Sequence, residues 1–333
     1  MIRSSGAFAL LTMSAVWLGG SIARSADMVP APTKQELVSL PSMATEEERQ
    51  LDTPSVRQRH RWVWDSLLAL RYNPRGAIAR VRAGYRMQLW DRPGVLYEQS
   101  FASLKGAVDL TPAYARVGGV LELQPIAALR LWARYDYVSS FGDFSYTQSF
   151  DDPRADHSDT TVQRQSDRDY ATKGGQVTLA ALLQLKFGPI AARTQFEAAH
   201  GWLDIHAGDR VFYDGYFDTL FPNGGWGAVS ETDLLYLHDS GFKLMLRYSY
   251  SHVFYRSRDY ALQPEQQPNS PTHRLGPALL YTFFEDRPGA AYDAPTVAFL
   301  SQWWLGHRYR TGADSDPALP FMLLVFMQRG DLL

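Results

Sequence analysis

The sequence predicts an all-β fold, a transmembrane antiparallel up-and-down β-barrel of about 12 strands, with short periplasmic turns and long extracellular loops. Three observations indicate this fold. Residues 77–90 alternate between apolar and polar side chains, over roughly twice the usual length of about 5–6 residues for a soluble strand. Later segments repeat that alternation. No further apolar run reaches the length of about 20 residues that a transmembrane helix needs, since the longest is residues 321–327.

The first 25 residues have the pattern of an export signal. Arg3 gives a positive start, residues 7–20 form a short apolar core, and small residues follow. This order is typical of a secretory signal peptide that is cleaved from the mature protein. We therefore expect a signal peptide at 1–25, a periplasmic N-terminal segment at 26–61, and the barrel at 62–333.

The predicted periplasmic segment differs in composition from the rest of the chain. It contains prolines and then the run Thr45-Glu46-Glu47-Glu48, which resembles a capping box and predicts a short helix near 45–51. Two interpretations stay open. The segment is either a flexible lead-in or a plug that folds into the barrel.

From residue 62 onward, amphipathic runs alternate with short stretches of turn residues. Proline and glycine mark connections such as 73–76 and 188–190, because their φ preferences suit turns. Pro277 interrupts the tenth run, so we expect that strand to bulge or to begin later. The predicted strands are residues 64–72, 77–90, 100–110, 114–124, 127–138, 176–187, 191–203, 228–238, 242–254, 274–285, 296–309 and 320–328.

The long connections have a common direction in this arrangement. They are residues 139–175, 204–227, 255–273 and 310–319. Following the strands up and down from a periplasmic start puts all of them on one side. Membrane barrels have this asymmetry, with short periplasmic turns and longer extracellular loops. Tyrosine and tryptophan residues near the strand ends are typical of the aromatic girdles at membrane interfaces.

Turning the apolar face of each strand outward leaves an inner wall in which basic side chains outnumber acidic ones. A narrow polar passage focuses the field of such charges, and rings of arginine and lysine favour anions. In the alternative, these groups pair with Asp109, Glu122 and Asp136 and fill a small closed barrel. The candidate lumen and substrate-binding residues are Arg80, Arg82, Arg86, Lys105, Arg116, Arg130, Arg134, Arg193, Arg247 and Arg308.

Composition excludes several classes of function. The chain has no cysteine, which rules out disulfide scaffolds and cysteine-based metal sites. Its net charge of −2 points to no particular partner, and its basic residues form no stripe suited to nucleic acid. The eight histidines show no metal-binding spacing. We therefore predict no metal, no cofactor, no catalytic residue and no nucleic-acid partner.

Over about residues 62–329 the chain resembles a Gram-negative outer-membrane β-barrel. The resemblance is one of architecture, through the signal peptide, the alternating strands, the aromatic residues and the loop asymmetry. It implies an outer-membrane location, with outer-membrane lipid, lipopolysaccharide and the barrel-assembly machinery as partners. Such proteins usually end on an aromatic residue, whereas here residues 328–333 read Gln-Arg-Gly-Asp-Leu-Leu.

The resemblance also implies a set of functions. Twelve-stranded members include oligosaccharide and nucleoside channels, a phospholipase and a lipid A deacylase, and arginine-lined members pass acidic sugars. We expect a channel for small anionic or polar solutes, acidic oligosaccharides among them. The alternatives are a non-conducting barrel that serves as an anchor or export component of an envelope complex, with 26–61 as its periplasmic contact, and a barrel enzyme that acts on lipid.

Overall fold

The chain folds into a closed antiparallel β-barrel, which confirms the predicted fold class. The computed structural model describes residues 59–91, 94, 96–143, 147–238, 240–261, 269, 271–284, 290–311 and 319–332. The twelve barrel strands are β1 (His60–Tyr72), β2 (Gly76–Gln88), β3 (Phe101–Leu110), β4 (Tyr114–Ile126), β5 (Leu129–Phe141), β7 (Ala171–Phe187), β8 (Ile190–Leu203), β11 (Gly225–Leu237), β12 (Phe242–Phe254), β13 (Thr272–Thr282), β14 (Asp293–Gly306) and β15 (Phe321–Leu332). Each strand pairs with its barrel neighbours in chain order, and β15 closes the sheet against β1.

The remaining elements lie in the long connections. Strands β6 (Ser149–Phe150), β9 (Val211–Asp214) and β10 (Thr219–Pro222) form a small second sheet in the order β10-β9-β6. A short helix, α1 (Asp159–Arg164), precedes β7. Two single turns of 3-10 helix cover Ser166–Arg168 and Ser257–Asp259. None of the helices in the described part of the chain is long and apolar enough to cross a membrane.

Burial alternates along the strands because successive side chains point to opposite faces of the sheet. In β2, for example, Arg80 and Arg82 are buried inside the barrel while Val81 is 53% exposed on the outside. Leu104 and Leu121 continue this exposed apolar surface on β3 and β4. The outer face of the described barrel strands holds no Asp, Glu or Arg. Such a face suits a hydrocarbon environment, and closure leaves no unpaired strand edge.

The long connections between barrel strands all open at one end, as the sequence predicted, because neighbouring strands are antiparallel. They follow β5, β8, β12 and β14. We call this the loop end of the barrel. The other end, where 127–128 and 188–189 make tight connections, is the turn end.

Several strand boundaries differ from the predicted ones. Strand β1 begins at His60, inside the predicted periplasmic segment, because it pairs with the whole of β15, in which Leu332 lies opposite Trp62. The sequence 328–332 is therefore the end of a strand, where we predicted a tail. Pro277 stays within β13, where it points outward and lies opposite Leu246.

The irregularity that we expected at the proline falls elsewhere in the same strand. The register between β13 and β14 shifts between His273 and Arg274. The predictions for the signal peptide at 1–25 and for a helix or plug up to residue 58 lie outside the described residues.

Candidate functional site

Nine of the ten predicted lumen residues lie on barrel strands with their side chains toward the interior. Arg86 is half-buried there. Arg308 follows β14 and belongs to the connection at the loop end. Whether these residues bind substrate stays a prediction. The buried ones are Arg80, Arg82, Lys105, Arg116, Arg130, Arg134, Arg193 and Arg247.

One ion-pair cluster is centred on Asp109, whose side chain is completely buried. Arg80 donates two hydrogen bonds to its carboxylate, at 2.7 and 2.8 Å. Arg134 lies 3.0 Å from Asp109 and 2.7 Å from Asp136. Arg80 and Asp109 are direct cross-strand partners, so the register of β2 on β3 brings them together. We call these four residues the Asp109 cluster.

A second cluster, closer to the turn end, joins β1 to β4. Asp65 lies 2.5 Å from Arg82 and 3.0 Å from Lys105. Glu122 lies 3.2 Å from Lys105 and also accepts a hydrogen bond from Ser103. Asp65 was not among the residues predicted to lie on the inner wall. It lies an even number of residues from Arg71 on the same strand, so the alternation along that strand could have identified it.

A third cluster spans three neighbouring strands on the other side of the barrel. Asp233 of β11 lies directly opposite Arg193 of β8 and Arg247 of β12. Its carboxylate accepts hydrogen bonds from both guanidinium groups, at 2.6 and 2.7 Å. Glu231 adds a contact of 3.1 Å to Arg247. The paired arrangement that the sequence left open is therefore present in all three clusters.

A different arrangement holds the basic side chains at the turn end. The guanidinium groups of Arg86 and Arg130 lie 4.0 and 5.2 Å from the centre of the Phe101 ring. Arg130 also donates a hydrogen bond of 2.7 Å to Gln124. The Nε of Arg86 is buried and has no hydrogen-bond partner among the described residues. This end of the inner wall therefore presents donors suited to an anion.

Part of the inner wall is apolar, which the sequence did not predict. Strands β13, β14 and β15 turn buried side chains such as Leu280, Leu300 and Leu323 into the barrel. Leu235 and Met245 extend this core onto β11 and β12. The interior thus combines three ion-pair clusters with one apolar side, unlike a uniformly basic passage.

The connection between β8 and β11 folds back into the barrel. Residues 211–222, which include β9 and β10, form a hairpin that we call the inserted hairpin. Phe217 and Phe221 pack beside Gly227 of the wall, where a side chain would meet their rings at 2.6 Å. At the hairpin tip, Arg71 donates a hydrogen bond of 2.8 Å to the carbonyl oxygen of Gly215.

A small cavity adjoins the inserted hairpin. A cavity of about 30 Å³ lies between the hairpin and the wall of β4, β5, β7 and β8, beside Arg116 and Asp214. That volume admits a water molecule, which needs at least about 10–15 Å³, but no larger solute.

Charged contacts connect the inserted hairpin to the other loops. Asp218 accepts hydrogen bonds from Arg310 at 2.8 Å and from Tyr213 at 2.7 Å. Arg310 also binds Asp159 of α1 through two hydrogen bonds, and Nε2 of His307 donates to the carbonyl oxygen of Asp218 at 2.9 Å. These residues close the loop end as one connected assembly.

Two buried histidines lie in this loop assembly. Burial, together with the charge of Arg308, lowers the pKa of His157 to about 3. Burial also lowers the pKa of His307, against the opposing effect of Asp218. His157 packs edge-on against Tyr309, and its Nε2 has no hydrogen-bond partner among the described residues. Both side chains are therefore neutral in the closed loops at neutral pH.

We expect acid to loosen the loop assembly. A displaced loop takes up a proton near the ordinary histidine pKa of about 6.5, whereas the folded loop resists protonation. The stability gained by keeping His157 neutral is complete above about pH 6.5 and declines as the pH falls toward about 3. Limited proteolysis within 147–170 should therefore accelerate between about pH 7 and about pH 4.5.

A matched variant isolates this effect. His157→Phe keeps a ring against Tyr309 but carries no titratable nitrogen, so its cleavage should depend less on pH than that of the wild type. Equal pH dependence in both proteins would assign the effect to another titratable group of the loop assembly, such as His307.

Metal ligation gains no support from the described residues, among which no group of three or more His, Cys, Asp or Glu side chains could hold an ion.

Comparisons with known proteins give distant structural matches. No family model matches the chain, and no curated protein matches it. Among solved structures, the KdgM porin is 7% identical, with 81% of this chain and 99% of that chain covered at a TM-score of 0.37. The NanC porin is 10% identical, with coverage of 81% and 100% and a TM-score of 0.33. OmpT, an outer membrane protein of Vibrio cholerae, is 6% identical, with coverage of 82% and 99% and a TM-score of 0.33.

Proposed function

We propose that the protein is an outer-membrane channel for small anionic solutes and that the structure corresponds to its closed form. The outward apolar face supports insertion in a membrane, and the loop asymmetry supports an extracellular loop end. The basic side chains of the inner wall support a preference for anions. Carboxylate-bearing sugars fit this chemistry because guanidinium groups bind carboxylates in a bidentate manner.

The observation that carries this proposal is the arrangement at the turn end. Arg86 and Arg130 share the ring of Phe101, and the buried Nε of Arg86 has no hydrogen-bond partner among the described residues. A buried polar group without a partner is costly, so this donor is poised for an acceptor that the described residues do not supply. A passing anion would supply it.

The closed form follows from the inserted hairpin and the filled interior. On this proposal a solute crosses only after the hairpin leaves its place beside Gly227, which would break the contact of Arg71 with Gly215 and that of Arg310 with Asp218. The ion-pair clusters would remain on the wall, and their guanidinium groups would then face water. Because each cluster carries as many acidic as basic side chains, the positive charge of the open passage would come from residues outside them, such as Arg86 and Arg130.

The reversal potential in a planar bilayer under a potassium chloride gradient tests this function. We expect rare, small openings with anion selectivity, and Arg86→Gln should reduce that selectivity because it removes a charge from the wall. Arg75→Gln is the matched control, since it removes the same charge from an exposed turn between β1 and β2. Cation-selective openings, or equal effects of both variants, would contradict the proposal.

A second candidate is the non-conducting barrel that anchors or assists an envelope complex. The three ion-pair clusters and the apolar side of the interior favour it, because both fill the lumen with contacts that a water-filled pore does not need. Correctly folded protein that never conducts would support this candidate. A periplasmic partner for 26–61, the assembly machinery and the lipid-acting enzyme stay predictions.

A further inference from the structure

One sector of the outer face differs from the rest of the barrel exterior. It carries Lys173 of β7, His200 of β8, His252 of β12 and His273 of β13, with Trp226 of β11 between them. Strands β7, β8, β11, β12 and β13 are consecutive neighbours in the barrel. Elsewhere on the described outer face, the only basic side chain is His60 at the turn end. We call the four basic residues the basic sector.

The four residues of the basic sector lie near the loop ends of their strands. Each residue is within three positions of the loop end of its strand. A strand of 13 residues such as β12 spans about 34 Å when tilted by about 40°, whereas the apolar band of a membrane barrel is about 25 Å tall. Residues this close to the strand ends therefore fall at the boundary between hydrocarbon and headgroups.

The histidine rings of this sector are held by aromatic neighbours. His200 lies 5.0 Å from Trp226 and 5.6 Å from Trp202, between ring centres. The Nδ1 of His273 lies 2.7 Å from the Tyr248 hydroxyl. When that hydroxyl donates to Nδ1, the neutral imidazole carries its proton on Nε2. The ring then offers an N–H donor directed away from the tyrosine.

We propose that the basic sector binds phosphate groups of lipid headgroups in the leaflet at the loop end. The inference rests on the membrane placement in the proposed function. Ammonium and imidazole N–H groups donate strong hydrogen bonds to phosphate oxygens. No carboxylate on the described outer face competes for them.

Native mass spectrometry of the full chain, folded in a neutral detergent, tests the proposal. The probes are dimyristoyl phosphatidylglycerol and a dimyristoyl galactolipid that lacks phosphate. We expect the wild type to retain the phospholipid in preference to the galactolipid. A variant combining His200→Phe, His252→Phe and His273→Phe should lose about fivefold or more of that preference, because it removes the imidazole N–H donors to the phosphate group.

The matched control introduces the same aromatic side chain near the turn ends of β11, β12 and β13, as Leu234→Phe with Leu244→Phe and Leu279→Phe. It should retain the phospholipid like the wild type. Equal retention by the histidine variant and this control, or no preference for phosphate in the wild type, would overturn the proposal.

Single changes keep the test informative if the triple variant fails to fold. His273→Phe alone should weaken retention of the phospholipid. Tyr248→Phe should weaken it less, because it removes the hydrogen bond that fixes the His273 tautomer but keeps both ring nitrogens. Unchanged retention in His273→Phe would contradict a role for that residue. A wild type that retains phospholipid but never conducts would contradict the channel and leave the lipid site standing.

Discussion

Replacing Asp109 with alanine is expected to lower the free energy of unfolding by about 3–5 kcal/mol. The substitution leaves Arg80 and Arg134 buried without the carboxylate that both contact at 2.7 to 3.0 Å. Removing one partner of a buried ion pair is far more damaging than the pair is stabilising, because the remaining charges stay away from water. Urea unfolding in lipid vesicles, followed by tryptophan fluorescence, measures the effect.

An exposed ion pair provides the control for this prediction. Asp91 pairs with Arg59, and both side chains are more than 60% exposed. Removing the carboxylate in Asp91→Ala should cost less than about 1 kcal/mol, because water screens such pairs. Similar losses in the Asp91 and Asp109 variants would mean that the Asp109 cluster is hydrated, as in an open lumen.

Gly227→Val is expected to displace the inserted hairpin and to raise the open fraction of the channel. The added side chain would meet Phe217 and Phe221 at 2.6 Å, which is closer than real contacts allow. Overpacking of this kind costs about 1–3 kcal/mol, which shifts a two-state equilibrium by about 5- to 150-fold. Single-channel recording should show this increase, and proteases should cut within 211–222 faster.

Gly119→Val is the control for the hairpin prediction. Gly119 lies on the outer face of β4, where a side chain meets nothing within 4 Å. This variant should keep the closed behaviour of the wild type. If proteases cut the hairpin of Gly227→Val no faster than that of the wild type, the added side chain displaces the wall and not the hairpin.

The barrel itself could be predicted from the sequence because its signal is local. In β2, each residue alternates with the next, and the alternation depends only on which face meets lipid. Strand β15 shows the limit of this signal. Leu323 and Val325 point inward while Leu324 and Phe326 point outward. Both faces of the strand are therefore apolar, and alternation does not distinguish the face toward the interior from the face toward lipid. The apolar side of the interior was therefore missed.

The pairing of the inner charges could not be predicted because it depends on register. Arg193, Asp233 and Arg247 form one row across three strands only at the observed alignment of β8, β11 and β12. A shift of one residue would move Asp233 to the lipid face. A single sequence with uncertain strand starts cannot choose among such alignments.

The aromatic residues of the inserted hairpin indicate burial, which the prediction of a long loop at 204–227 did not include. The hairpin's residues include Phe212, Tyr213, Tyr216, Phe217 and Phe221, which is unusually aromatic for a solvated loop. Such a segment must bury its rings, and the barrel interior offers space beside Gly201 and Gly227.

The conductance of a variant without the inserted hairpin tests the central claim most directly. Residues 204–223 would be replaced by an Asn-Gly turn, which suits a two-residue connection between antiparallel strands. We predict that this variant conducts steadily in a planar bilayer and prefers anions, whereas the wild type stays mostly closed. A folded variant that carries no current, or one that prefers cations, would contradict a closed anion channel.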